Sequence, residues 1–116
     1  MAPGATWVLC STSALTPLKD KCNRLASTIN HNGDDAYSLE CGGVVVDTFG
    51  QIGTDPGTAW GVSGSLTSTV DHTLRRKCGI YHGQPDGSLP FDPSVEWDGY
   101  PKDTLDGLGS HVATCP

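Results

Sequence analysis

Large apolar side chains are scarce in this chain. Two phenylalanines and one methionine occur among 116 residues, and aromatic residues of all kinds make up 7%. Fifteen glycines and eight prolines favour loops over long regular elements. Because a core built from so few large side chains is small, cross-links that restrict the unfolded chain would add needed stability.

Positive charge and long apolar runs are scarce as well. Seven Lys and Arg stand against thirteen Asp and Glu, which gives a net charge of −6. The single basic cluster, residues 75–77, is too short for the positive footprint that phosphate backbones require. No apolar run approaches the ~20 residues of a membrane span. We therefore expect neither nucleic acid nor a membrane as a partner.

Motifs for metals and cofactors are missing too. The chain has no CxxC pair, and its four histidines (His31, His72, His82 and His111) never recur at the spacing of metal ligands. The acidic stretch at 92–106 does not follow the calcium-loop pattern. We expect no metal and no cofactor.

Five cysteines are the most informative residues present: Cys10, Cys22, Cys41, Cys78 and Cys115. Wide spacing in a short chain is typical of structural disulfides, and hence of an oxidising compartment. With one sulfur left over, about 15 pairings are open, and the sequence chooses none of them. A leader-like apolar segment is lacking at residues 1–4, so a secreted protein would be expected here in its mature form.

The first half of the chain predicts a strand, a helix and three further strands. Residues 6–10 are rich in β-formers, and the helix follows Thr16 and Pro17 as far as Asn32. Its apolar stripe has spacings of three and four: Leu15, Leu18, Cys22, Leu25 and Ile29. Strands are predicted at 36–41, 44–46 and 58–63, with a turn or bulge at Gly42-Gly43.

Alternation within 36–41 places Tyr37, Leu39 and Cys41 on one face of a half-buried strand. Since Cys22 lies in the helix stripe, Cys22 and Cys41 are both expected to face the core and to form cross-links. The unpaired sulfur is then expected among Cys10, Cys78 and Cys115.

The second half predicts one helix, one long loop and a last strand. The helix begins at Thr67 or Ser68 and ends near Cys78, with residues 75–77 in its final turn, where cations favour the helix dipole. The loop spans about 83–109 and holds a brief strand at 94–97. The last strand covers 110–115.

With the strand assignment between Val44 and Ser63 left open, this order is β-α-β-β-α-β, the split βαβ or ferredoxin-like arrangement. We expect one α+β domain over residues 1–116, a disulfide-stabilised two-layer sandwich with both helices on one sheet face. The bare sheet face would be covered by the 83–109 loop or by a second copy in a homodimer.

Two aromatic residues of the long loop are candidate binding anchors, because large aromatic side chains are enriched at interfaces. They are Trp97 and Tyr100, and simple packing of the loop against the sheet is the alternative explanation for both.

Glu96-Trp97 resembles the Glu-Trp-Pro segment of the small fungal guanyl-specific ribonucleases. The resemblance implies general acid–base catalysis by Glu96 with His82 or His111. Asp98 replaces the proline, and no arginine follows Arg76, whereas that family places one between its Glu and its last His.

The short acidic chain, the scattered cysteines and the predicted element order together resemble the small secreted cysteine-containing effectors of plant-pathogenic fungi, including those like the killer toxins of smut fungi. The resemblance implies a secreted protein, extracellular or delivered into a host, that acts without catalysis. Its partner would be another protein, either a host target or a co-secreted protein. A small secreted hydrolase, best represented by the ribonuclease, is the alternative function.

Overall fold

The computed structural model describes residues 1–116 and is made of short strands. They are β1 (Leu9–Ser11), β2 (Arg24–Ala26), β3 (Tyr37–Cys41), β4 (Val44–Phe49), β5 (His72–Arg76) and β6 (Trp97–Pro101). The helical elements are a 3₁₀ turn at Lys19–Lys21 and one turn of α-helix, α1, at Pro93–Glu96. The strands form three separate two-stranded sheets, β1-β2, β3-β4 and β5-β6.

Two compact units are formed by these elements. The first comprises Met1–His31 with Leu105–Val112, and the second comprises Asn32–Thr104 with Ala113–Pro116. The expectation of one domain over residues 1–116 stays a prediction.

In the first unit, β1 and β2 run parallel and a disulfide joins Cys10 to Cys22. Parallel strands need a crossover of about a dozen residues, and the 3₁₀ turn lies in it. The helix predicted from Thr16 to Asn32 is therefore wrong. Its stripe residue Leu25 pairs with Cys10 across the sheet instead, because the disulfide holds the segment after Cys22 beside β1.

In the second unit, β3 and β4 form an antiparallel hairpin with a bulge between Leu39 and Glu40. Gly42 and Gly43 turn the chain with φ of 59° and 80°, values that glycine adopts without steric cost. The predicted strands at 36–41 and 44–46 and the turn between them are confirmed. The expected half-burial of β3 is wrong, since all five of its residues are exposed.

β5 and β6 form the third sheet, and the helix predicted from residue 67 or 68 to 78 is wrong. Thr67, Thr69, Val70 and Thr73 are β-branched, so their side chains favour extended backbone. β5 pairs antiparallel with β6 from His72–Pro101 to Arg76–Trp97. Arg75 and Arg76 thus end a strand that Lys77 follows, and these residues do not form the last turn of a helix.

The core of the second unit is a chain of aromatic rings. Phe49 stands 5.2 Å from Tyr37, 4.7 Å from Phe91 and 5.2 Å from Trp97, measured between ring centroids. Trp60 meets Phe91 edge-on at 5.7 Å and is only 5% exposed. Five of the chain's eight aromatic residues thus lie in one cluster, which gives a two-stranded sheet the packing that it needs to persist.

The α+β ferredoxin-like sandwich is wrong. The chain has one isolated helical turn and no helix layer, and its strands make three small sheets with no central one. Residues 58–63 form turns around Trp60, and residues 110–115 carry no strand. The predicted loop at 83–109 contains α1 and β6, and residues 94–97 are mostly helical.

Two disulfides cross-link the chain, Cys10–Cys22 and Cys78–Cys115, and Cys41 is free and exposed. The expectation that the free sulfur lies among Cys10, Cys78 and Cys115 is therefore wrong, as is a cross-link at Cys41. The other four cysteines are bonded to one another, so no sulfur is left to pair with Cys41.

Candidate functional site

Polar and aromatic side chains of the second unit meet where β4, β5, α1 and β6 come together. Arg76, at the end of β5, donates from Nη1 to Asp47 Oδ2 at 2.5 Å and from Nη2 to Asp47 Oδ1 at 3.0 Å. Nη2 also reaches Glu96 Oε2, at 3.1 Å. The guanidinium therefore joins a carboxylate of β4 to the last residue of α1, and this fork geometry is the one that arginine offers and lysine does not.

The electrostatics of the site favour the charged forms of Asp47 and Arg76. Burial works to raise the pKa of Asp47, but the Arg76 guanidinium and the backbone N–H groups of Gln84 and Thr48 outweigh it and hold the pKa below its ordinary value. The hydrogen bond to Asp47 raises the pKa of Arg76, which stays protonated at every relevant pH. The side chain of Arg76 is 16% exposed.

The two predicted binding aromatics lie on β6 but do not form one surface. A separation of three residues places Trp97 and Tyr100 on opposite faces of a strand. Trp97 packs edge-on against Phe49, and the Arg76 guanidinium lies 4.9 Å from its ring. Arg75 lies 4.2 Å from the ring of Tyr100. Both rings are partly exposed, and their role as binding anchors stays a prediction.

A cavity of about 180 Å³ opens beside Glu96. Its walls are apolar and its border is acidic. The lining residues are Thr48, Gly50, Gln84, Asp86, Leu89, Pro90, Phe91, Asp92, Val95 and Glu96. Thr48 is 6% exposed, and its hydroxyl oxygen is buried with no hydrogen-bond partner.

Local turn chemistry positions two of the bordering carboxylates. Asp92 caps α1, its Oδ1 accepting from the N–H and hydroxyl of Ser94. Asp86 holds Ser88 in the same way. At the other end of α1, Lys77 Nζ donates to the carbonyls of Ser94 and Val95, so a cation satisfies the last helical carbonyls.

The histidines proposed for acid–base catalysis are not hydrogen-bond partners of Glu96. The side chain of Glu96 accepts from Arg76. His82 is exposed in the second unit, and His111 is exposed in the first. Nowhere do three His, Cys, Asp or Glu side chains lie close enough together to hold a metal ion.

Sequence reasoning missed Asp47 and Arg76, which organise this site. Asp47 is the only charged residue within the six-residue strand Val44–Phe49, and a lone carboxylate in a β-prone run is a signal for a buried cationic partner. Arg76 was not singled out because it is one of three consecutive basic residues, and such a run is also typical of the last turn of a helix.

The first unit has a cavity of its own, about 370 Å³ and mainly apolar. It is lined by residues of β1 and of the crossover, together with Ile29, His31 and Leu108. His31 is the one ionisable residue of its lining.

No protein-family model matches the chain, and neither a curated protein nor a solved structure is similar to it. None of its helices is long and apolar enough to cross a membrane. The two disulfides are consistent with an extracellular protein.

Proposed function

We propose that this chain is a secreted effector or toxin-like protein that acts by binding another protein and not by catalysis. The observation that carries the proposal is the cavity beside Glu96, where an apolar wall of Leu89, Pro90, Phe91 and Val95 is bordered by carboxylates. Apolar centres with a polar rim are the usual anatomy of protein interfaces. The partly exposed rings of Trp97 and Tyr100 lie on the strand that directly follows α1.

Secretion, either to the extracellular space or into a host, fits the disulfides. The partner is a host target or a co-secreted protein. The resemblance to killer-toxin-like effectors drew on a β-α-β-β-α-β order that the chain does not have, so the proposal rests on the surface and the disulfides.

One observation favours the alternative, a secreted ribonuclease. Arg76 lies beside Glu96, and so brings an arginine to this carboxylate although none follows Glu96 in the sequence. Such an enzyme needs a free positive charge on the phosphate as well as a carboxylate and a histidine. Arg76 is instead held by both oxygens of Asp47, which opposes phosphate binding.

A measurement of RNA cleavage by the protein decides between the two functions. We expect no RNA cleavage at high protein concentration, for the wild type and Glu96→Gln alike. Cleavage that is lost in Glu96→Gln and in a His82→Ala or His111→Ala variant would replace the binding proposal with the ribonuclease.

Binding is tested with protein immobilised through the exposed Cys41 thiol and exposed to plant extracellular fluid. We expect a reproducible partner that Val95→Asp no longer retains. Val62→Asp is the matched control, since Val62 is 74% exposed against 66% for Val95 and does not line the cavity. The same partner on both variants, or none on the wild type, would contradict the assignment of this surface. Light scattering on the free protein reports whether a homodimer forms.

A further inference from the structure

We propose that the cavity beside Glu96 receives a lysine side chain of the partner protein. The inference rests on the proposed function, because it names the chemical group through which the partner is held. It is argued from the size of the cavity, the chemistry of its wall and the oxygens at its border.

The size of the cavity fits a single side chain. Pockets for small-molecule ligands span roughly 300–1,000 Å³, and this cavity holds about 180 Å³. Cavities of about 150 Å³ accept a molecule the size of benzene, which is comparable to the stem and head of a lysine. Leu89, Pro90 and Val95 offer the aliphatic surface along which a lysine stem packs.

The charge around the cavity favours a cation. Asp86, Asp92 and Glu96 line it, and the nearby Arg76 and Lys77 are already engaged by Asp47, Glu96 and the α1 carbonyls. Counting Asp47, four carboxylates face two cations, and the whole chain carries −6. An incoming ammonium group therefore meets a net negative field.

The carboxylate oxygens that accept no hydrogen bond favour lysine over arginine as the bound side chain. Each bordering carboxylate has one oxygen occupied: Asp86 Oδ1 by Ser88, Asp92 Oδ1 by Ser94, and Glu96 Oε2 by Arg76. The second oxygen of each accepts no hydrogen bond. Since Asp86 Oδ1 and Asp92 Oδ1 each already accept two hydrogen bonds, neither of these carboxylates offers both oxygens to the bidentate fork of a guanidinium. An ammonium has three separate donors and suits single oxygens from different residues.

The test is an NMR titration of the ¹⁵N-labelled full chain at low salt with four probes. They are a short acetylated, amidated peptide with one central lysine, the same peptide with arginine, the same peptide with norleucine, and free 1,5-diaminopentane. We expect saturable shifts of the Thr48, Val95 and Glu96 amides with the lysine peptide. Binding should be at least about tenfold weaker for norleucine, several-fold weaker for arginine, and weaker still at high salt.

A fold-preserving variant isolates the charge. Asp86→Asn with Asp92→Asn keeps the side-chain oxygens that accept from Ser88 and Ser94, since asparagine serves these turns as well as aspartate. Lysine-peptide affinity should fall about tenfold. The matched control is Asp55→Asn with Asp103→Asn, which removes the same charge from residues that do not line the cavity and whose backbone roles asparagine can fill. The control should bind like the wild type.

The assignment would be overturned if the norleucine or the arginine peptide bound as well as the lysine peptide, or if both double variants lost the same affinity. Tight binding of diaminopentane without binding of the lysine peptide would overturn it as well. These failures are distinguishable from failure of the proposed function. If the immobilised wild type and Asp86→Asn/Asp92→Asn retain the same partner equally well, protein binding stands and the lysine pocket does not.

Discussion

Arg76 links three elements through one guanidinium. It hydrogen-bonds Asp47 on β4 and Glu96 on α1, and lies over the ring of Trp97 on β6. Removing it leaves Asp47 a partly buried carboxylate that keeps the N–H of Gln84 and of its neighbour Thr48 but loses its cation. The residue therefore stabilises the second unit through packing as well as charge.

We expect Arg76→Ala to lower the free energy of unfolding by about 3 kcal/mol, because breaking a buried pair on one side leaves its partner uncompensated. Lys102→Ala is the control. Lys102 pairs with Asp71 at 3.0 Å, but both side chains are more than 60% exposed, and solvent screens such a surface pair so that its loss changes the stability little. Denaturant unfolding measures both. A similar small loss for the two variants would show that the Arg76 cluster adds nothing special.

Asp47 makes stability depend on pH in a defined direction. Its pKa is lowered on folding, so its contribution is present above the ordinary pKa of 3.8 and is lost as the pH falls through the lower folded value. From pH 7 to pH 5 this group should cause no change. Below about pH 4 the wild type should lose stability more steeply than Asp47→Asn, whose side chain does not titrate there. Unfolding midpoints in guanidinium chloride across pH 2–7 test this, and parallel curves would contradict it.

At the scale of elements, two glycines are fixed by close approaches of backbone. A Cβ added to Gly99 on β6 would overlap the carbonyl group of Leu66, and one added to Gly83 would overlap the carbonyl of Val46. Neither glycine has a positive φ, so the constraint is contact alone. The Leu66 backbone can lie this close to β6 only because residue 99 has no side chain.

We expect Gly99→Ala to destabilise the chain by more than about 3 kcal/mol or to prevent folding, as overpacking against backbone cannot be relieved by a rotamer change. Gly64→Ala is the control, since a Cβ there meets nothing within 4 Å and its φ of 80° costs about 1–2 kcal/mol. Circular dichroism and thermal unfolding compare the two. Equal stability would show that the Leu66 segment moves away freely.

Local signals predicted some elements and missed others for a physical reason. The Gly42-Gly43 hairpin was predictable because turn chemistry and β-propensity act within a few residues. The helix at 16–32 had the right spacing of apolar residues, but the Cys10–Cys22 bond, which spacing cannot reveal, placed Leu25 beside Cys10. Pattern alone also could not show that Arg76 would meet Asp47 from 29 residues away.

The candidate site was predictable only in part. Glu96 and Trp97 were singled out from the sequence as candidate site residues. Both lie in the cluster around Arg76, where they contact residues from distant segments of the chain. Asp92 was noted only as part of the acidic stretch at 92–106 and Asp86 was not singled out; the structure adds the turns that hold both carboxylates. The cavity itself depends on how α1 packs near Thr48, which no short segment specifies.

At the scale of the molecule, the cysteines divide into two bonds and one thiol. Intact mass of the unreduced, alkylated protein should show one added label, and reduction before alkylation should allow five. Peptide mapping should place the single label on Cys41, which is exposed. A label on any other cysteine, or none with a doubled mass, would contradict this pairing.

The Cys78–Cys115 bond encloses α1, β6 and the bordering carboxylates within 37 residues of sequence separation. A protease that cuts once anywhere between these cysteines therefore yields two fragments that stay one covalent molecule until a reductant is added. In fluids rich in proteases, a chain cut once in this region would keep both halves of its Glu96 surface together. The same cut in a chain without this disulfide would leave the two halves without a covalent link.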